Sequence, residues 1–202
     1  GALCKRHGAL LVVDGTAFND GRLDVSNGFT NSGTIVLQHS DTTADFANLQ
    51  MGTLELRNEG LIHSDDPGGG AAQHRLNATL TNVGTLQVDA DLRIENAGDV
   101  FDTTRGTVSV ASGVTLEVLN GQSRIGTNSI LNGPGSIDIN NGTLEVASNV
   151  IVAAAGPQWI FTSASTIDGP GLVTIDTGAG FEIEDDTVNV DMHVDGTLTV
   201  FN

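Results

Sequence analysis

Apolar and polar residues alternate along most of this chain in short runs of period two, and the runs share one opening. A turn ending in glycine is followed by Thr or a similar residue, then apolar, polar, apolar. The unit reads NSGTIVL (31–37), MGTLEL (51–56), NVGTLQV (82–88), RGTVSV (105–110), GVTLEV (113–118), GPGSIDI (133–139), NGTLEV (141–146), GPGLVTI (169–175) and DGTLTV (195–200), with DGRLDV near the start. Such alternation predicts an extended strand, with Leu144 and Val146 on one side and Glu145 on the other. Secondary strands are predicted at LRIEN (92–96), NVIVA (149–153), FEIED (181–185) and VNVDMHVD (188–195). The intervening Asn-Gly, Asp-Gly and Asn-x-Gly bends are residues that tolerate positive φ. Helical periodicity is nearly absent; DTTADFANLQ (41–50) reads as one helical turn or an irregular loop.

Two all-β architectures fit this pattern. Asn-Gly between alternating runs is a hairpin signal, which would give tandem antiparallel β-sandwiches. Sandwich cores, however, favour larger side chains and aromatics, and these strands are small and nearly uniform. A unit returning about once per twenty residues fits a parallel β-solenoid, in which each coil stacks on the last. One coil per unit predicts roughly nine or ten coils and, at about 4.8 Å per layer, a rod of about 45 Å. Asn at the bends is expected to bond to Asn one coil away.

The stretches NSGTIVLQ, TNVGTLQVDADLRIEN and NNGTLEVASNVIV resemble passenger and stalk repeats of bacterial autotransporters and filamentous haemagglutinin-like adhesins. The resemblance covers residues 9–202, taken as one solenoid domain after an extension or processed end at 1–8. It implies a right-handed parallel β-helix in a secreted or cell-surface bacterial setting, often in adhesion or matrix formation. It carries no functional residue across.

Composition narrows the partners. Twenty-five Asp and Glu against eight Lys and Arg give a formal net charge of −17, which argues against nucleic acid or an anionic membrane surface. Calcium is a possible ligand, because Asp and Asn oxygens suit a hard cation. Apolar content is 39% but aromatics only 4%, with a lone Trp159; Trp159 and Phe161 are read as core, with an interface as the alternative. The single cysteine, Cys4, excludes an intrachain disulfide, and no apolar run reaches the ~18 residues of a membrane span.

Signatures of nucleophilic, zinc, nucleotide and repeat-calcium chemistry are missing: no G-x-S-x-G, H-E-x-x-H, C-x-x-C, phosphate loop or G-G-x-G-x-D is present. The main local anomaly is HSDDPGGGAAQHR (63–75), where the repeat interval lengthens and a loop is expected to leave the rod. His63, Asp65, Asp66 and His74 are candidate metal ligands there; a solvated excursion is the simpler reading. Carboxylates on adjacent coils could serve glycoside chemistry, and Asp138 with Glu145, Asp176 with Glu184, or Asp185 with Asp186 are the candidate pairs. Asn77 and Asn141 fit the glycosylation pattern.

The last residues, VDGTLTVFN, run directly into a strand. Either the chain is cut from a longer array, or that edge pairs with a neighbouring subunit, with ALLVV (9–13) as the complementary surface. The sequence therefore points to a non-enzymatic segment of an exported adhesin, stalk or fibre, self-associating end to end and open to a host or matrix glycan or protein. The alternative is a carbohydrate-active β-helix, a polysaccharide lyase or hydrolase.

Overall fold

A computed structural model describes residues 8–16, 20–41, 46–69, 73–95 and 100–201. Among these residues there are β-strands and no α-helix. The first coil consists of β1 (Leu10–Gly15), β2 (Gly21–Asp24) and β3 (Phe29–Asn31). The second has β4 (Thr34–His39) and the long β5 (Ala47–Asn58), which turns a corner and serves two faces; the third repeats this with β6 (Leu61–Asp65) and β7 (His74–Asn82). Next come β8 (Thr85–Val88), β9 (Leu92–Glu95) and β10 (Val100–Asp102), then β11 (Thr107–Val110), β12 (Thr115–Leu119) and β13 (Gln122–Ile125). The sixth coil is β14 (Ile130–Asn132), β15 (Ser136–Asn140) and β16 (Thr143–Val146), and the seventh β17 (Val150–Val152), β18 (Gln158–Thr162) and β19 (Thr166–Asp168). An eighth is β20 (Leu172–Ile175), β21 (Gly180–Glu184) and β22 (Thr187–Val188), after which β23 (Asp191–Val194) and β24 (Thr197–Phe201) open a ninth.

Every strand pairing is parallel and joins one coil to the next. The fold is a right-handed parallel β-helix, the hand expected for parallel crossovers. The antiparallel sandwich is excluded by the same pairings. The strands form three ladders, here the first, second and third faces in chain order. On the first face, β14 and β17 occupy equivalent positions but are not paired, so that face splits into a six-stranded and a three-stranded sheet.

The coil count falls below the nine or ten expected, and the reason lies in where the repeated unit sits. Gly106 precedes β11 on the first face and Gly113 precedes β12 on the second, both in one coil; Gly135 and Gly142 likewise share the sixth coil. One coil per unit therefore overcounts. The recurrence of glycine in the unit also has a second cause beside the one expected. Gly60, Gly84 and Gly106 lack positive φ. A Cβ at Gly60 would lie 2.1 Å from the Gly33 oxygen, and one at Gly84 2.2 Å from the Gly60 oxygen. These corners stack backbone on backbone, so any side chain would force the coils apart. Other unit glycines do take the expected positive φ, among them Gly52, Gly113, Gly133 and Gly169, as do Asn120 and Asn141 at bends.

Inward residues stack in register into one core. On the second face Leu49, Leu76, Ile94, Val118, Ile139, Phe161 and Ile183 follow one another coil by coil. Each is nearly or fully buried, worth roughly 1.5–3 kcal/mol per large side chain. Trp159 and Phe161 belong to this core, their rings stacked at 6.1 Å, with Phe181 5.0 Å beyond Phe161.

At the end of the third face a polar ladder replaces apolar packing. Asn31 donates to Asn58 Oδ1 at 2.8 Å and Asn58 donates to Asn82 Oδ1 at 2.8 Å. Asn82 continues the ladder to the Thr103 hydroxyl at 3.3 Å. Each amide also reaches a backbone carbonyl: Leu61, Thr85 and Thr107 in turn. The expected Asn–Asn bonding between coils is thus present, here in full burial, and again on the surface between Asn120 and Asn141 at 2.7 Å.

Candidate functional site

The third face carries an outward column set by register: Thr30, Arg57, Thr81, Asp102, Arg124, Glu145 and Asp168, one per coil. Alternation sends these side chains out while Leu56, Leu80 and Phe101 point in. Beside the column the turns after β7, β10, β13 and β16 rise to form a polar cleft of about 460 Å³. Three arginines open into it, Arg57, Arg105 and Arg124.

Two of the three are held by carboxylates. Arg124 grips Glu145 with both Nε (2.9 Å to Oε2) and Nη2 (3.0 Å to Oε1), while Nη1 reaches Asp102 at 3.3 Å. Arg57 donates to Glu59 at 2.7 Å. Such forked pairs fix the guanidinium plane more than they stabilise the fold, because the groups remain partly exposed. Arg105 is exposed and forms no hydrogen bond or ion pair with any described residue. Its turn is anchored: Asp102 accepts from the Thr104 amide (2.9 Å) and hydroxyl (2.7 Å), and the Gly106 amide donates to the Thr103 carbonyl. A Cβ on Gly106 would meet Asn82 at 2.4 Å, so the turn sits directly on the buried asparagine ladder. The far wall is a hydroxyl and amide lattice, in which the Thr127 amide and hydroxyl both reach the Ser148 Oγ, at 2.9 and 3.0 Å.

The region 63–75 is organised differently from the loop expected there. His63 and Asp65 lie within β6, and His74 and Arg75 within β7, so the departure from the coil is shorter; residues 70–72 lie outside the described residues. The four candidate ligands do not converge. His63 pairs with Asp89 at 2.9 Å. The Asp66 carboxylate accepts from the Gly69 amide at 2.9 Å. His74 accepts from the Ala47 amide on Nδ1 at 3.1 Å, which leaves Nε2 as the donor to the Asp65 carbonyl at 2.9 Å. Both ring nitrogens are engaged, and burial holds this imidazole below its ordinary pKa despite the hydrogen bond to Asp65. Among the described residues, no three His, Cys, Asp or Glu side chains are placed to hold a metal ion. A second fully buried imidazole here is one that sequence reading passed over: His39, 3.0 Å from Asp41 and 3.9 Å from Asp66.

The three proposed carboxylate pairs do not form across coils. Asp138 is on β15 and Glu145 on β16, different faces. Asp176 follows β20 while Glu184 ends β21, and Asp185 with Asp186 forms the next turn. The register instead sets Asp138 opposite Glu117. Glu117, almost buried, accepts from Arg93 at 2.7 Å, Asn140 at 3.0 Å and Gln73 at 3.1 Å. Burial, reinforced by the Glu117 and Asp186 charges, pushes the Asp138 carboxyl above its ordinary pKa even though Thr162 donates to it. Of the two glycosylation matches, Asn77 has a buried Oδ1, whereas Asn141 is in an exposed turn.

Fold and surface together define a right-handed parallel β-solenoid with an arginine-lined polar cleft on one face. No protein family, curated protein or solved structure matches the chain.

Proposed function

We propose that this chain is a non-enzymatic structural segment of an exported bacterial surface adhesin, stalk or extracellular fibre, acting as a stiff rod whose end coils stack on further β-layers. The observation that carries this reading is the placement of exposed apolar side chains. Among the described residues seven large ones are exposed, and five sit at the two ends: Leu10 and Val12 on β1, Val194 on β23, and Val200 and Phe201 on β24. Among the described residues those strands have no partner on their outer backbone edges, a surface that natural sheets cover or blunt. A further layer bearing the same alternation would bury both. Further coils of the same array or of a neighbouring copy would supply that layer, and stacking of copies propagates because the two ends differ. The acidic surface and the family resemblance of the repeats support an exported setting.

Negative-stain microscopy and sedimentation over a concentration series, each with and without calcium, test this. Nine strands on a face give an axial repeat of about 43 Å per stacked copy. Particles lengthening in that step, and shortened by Val200→Lys, support the rod. Single short particles at every concentration and in both buffers refute it.

A carbohydrate-active role is the second reading, favoured by the Glu117 and Asp138 register. Strands about 4.8 Å apart bring two carboxyls near the ~5 Å separation of retaining glycosidases, Glu117 bonded to Arg93 and Asp138 favouring its proton. Release of reducing ends from acidic and neutral polysaccharides, abolished by both Glu117→Gln and Asp138→Asn, would establish it; no release would end it.

A further inference from the structure

We infer that the arginine-lined cleft of the third face is a binding site for a carboxylate-bearing sugar, a uronate unit of an acidic glycan, with Arg105 as the group that takes the carboxylate. This is independent of the rod reading, since it concerns the side of the coil stack and not its ends.

The distribution of charge is the first argument. Only eight basic residues face twenty-five acidic ones in the chain, yet three arginines line this one cleft against a single lining carboxylate, Asp102. The other described arginines are spent elsewhere: Arg22 on Asp24, Arg93 on Glu117, and Arg75 over the Phe46 ring at 4.3 Å. The second argument is the division of labour within the cleft. Arg57 and Arg124 are locked by Glu59, Glu145 and Asp102, so they frame the site without needing a ligand. Arg105 alone of the three has no bonded carboxylate among the described residues, on a turn pinned to the asparagine ladder, and a guanidinium matches a carboxylate with two parallel hydrogen bonds.

The remaining lining sets the kind of anion. Thr81, Thr127, Asn128 and Ser148 offer hydroxyls and amides, and Asp102 offers an acceptor. Such a wall exchanges hydrogen bonds with a ring of sugar hydroxyls. Asp102 beside Arg105 disfavours a dianionic phosphate, and the net charge disfavours any dense polyanion. The volume lies within the range of small-ligand sites, and the cleft extends along the rod axis, so a glycan chain would run parallel to it.

The test is calorimetric titration of the full chain with trigalacturonate, with a neutral xylotriose and with inorganic phosphate. Trigalacturonate is expected to bind the wild-type chain and xylotriose at least about tenfold more weakly. Arg105→Ala should weaken trigalacturonate at least about tenfold, the loss of one charge-assisted pair, and Arg105→Lys should recover part of it. Arg22→Ala, which removes one positive charge on another face, should bind as wild type. Circular dichroism of each variant checks that the coil stack persists, and if Arg105→Ala perturbs it, Arg105→Gln takes its place. Absence of trigalacturonate binding, equal loss in the Arg22 and Arg105 variants, or phosphate binding as tight as the uronate each overturns the assignment.

Discussion

Replacing Asn58 by Ala should remove close to half the stability of an ordinary domain. The side chain accepts one hydrogen bond from Asn31 and donates two, to Asn82 Oδ1 and the Thr85 carbonyl, the two Asn–Asn bonds in full burial. At about 1 kcal/mol net each the three bonds sum to about 3 kcal/mol, and the stranded Asn82 oxygen adds about 1 more. Typical totals are about 5–15 kcal/mol. Urea unfolding followed by circular dichroism measures the loss, with the slope checked for a change in cooperativity, since stacked coils can unfold in parts. Asn141→Gly is the control. It deletes the same kind of inter-coil bond from an exposed turn without backbone strain, because Asn141 already has positive φ, and should cost well under 1 kcal/mol. Asn58→Asp adds a sign test: the carboxylate accepts from Asn31 but faces two acceptors, so it should be worse than Ala at neutral pH and improve on acidification. If Asn58→Ala falls within about 1 kcal/mol of the Asn141→Gly value, the buried ladder is not what holds the coil corners together and the reasoning fails.

Ser123 lies between Phe101 and Leu144 in the third-face stack, buried and with no hydrogen-bond partner for its hydroxyl, so Ser123→Ala should stabilise by about 1 kcal/mol in the same unfolding assay; a loss would mean the hydroxyl is satisfied in solution. His74 has a folded-state pKa lowered chiefly by burial. Its stabilising contribution is therefore complete above the unfolded value of about 6.5 and is lost as pH falls through the folded value. Histidine proton shifts should show the Nε2–H tautomer at neutral pH, and a charged ring there would contradict it. Asp138 has the opposite sign: its raised pKa contributes stability that is full below the ordinary carboxylate value and lost as pH rises through the folded one. Asp138→Asn should accordingly gain on wild type at pH 7 and converge with it near pH 3, and an unchanged difference across that span would rule out the buried-carboxyl account.

The period-two alternation alone determined that this chain is all-β, that Leu144 and Val146 face inward while Glu145 faces water, and that asparagines at bends bond from coil to coil. Those are local consequences of strand geometry and hydrogen-bond capacity, so they survive without coordinates. The coil number was not legible, because the same Gly-Thr unit opens strands on all three faces and nothing in its spelling says which corner it turns. Motif glycines such as Gly52 and Gly113 are the positive-φ turns they looked like, yet at Gly84 it is the backbone one coil below that forbids a side chain. Only tertiary structure brought Arg57, Arg105 and Arg124 to one cleft from three coils, set Glu117 opposite Asp138, and buried His39. Each of those pairings depends on register between strands more than twenty residues apart, where a one-residue change in a turn exchanges the inner face for the outer.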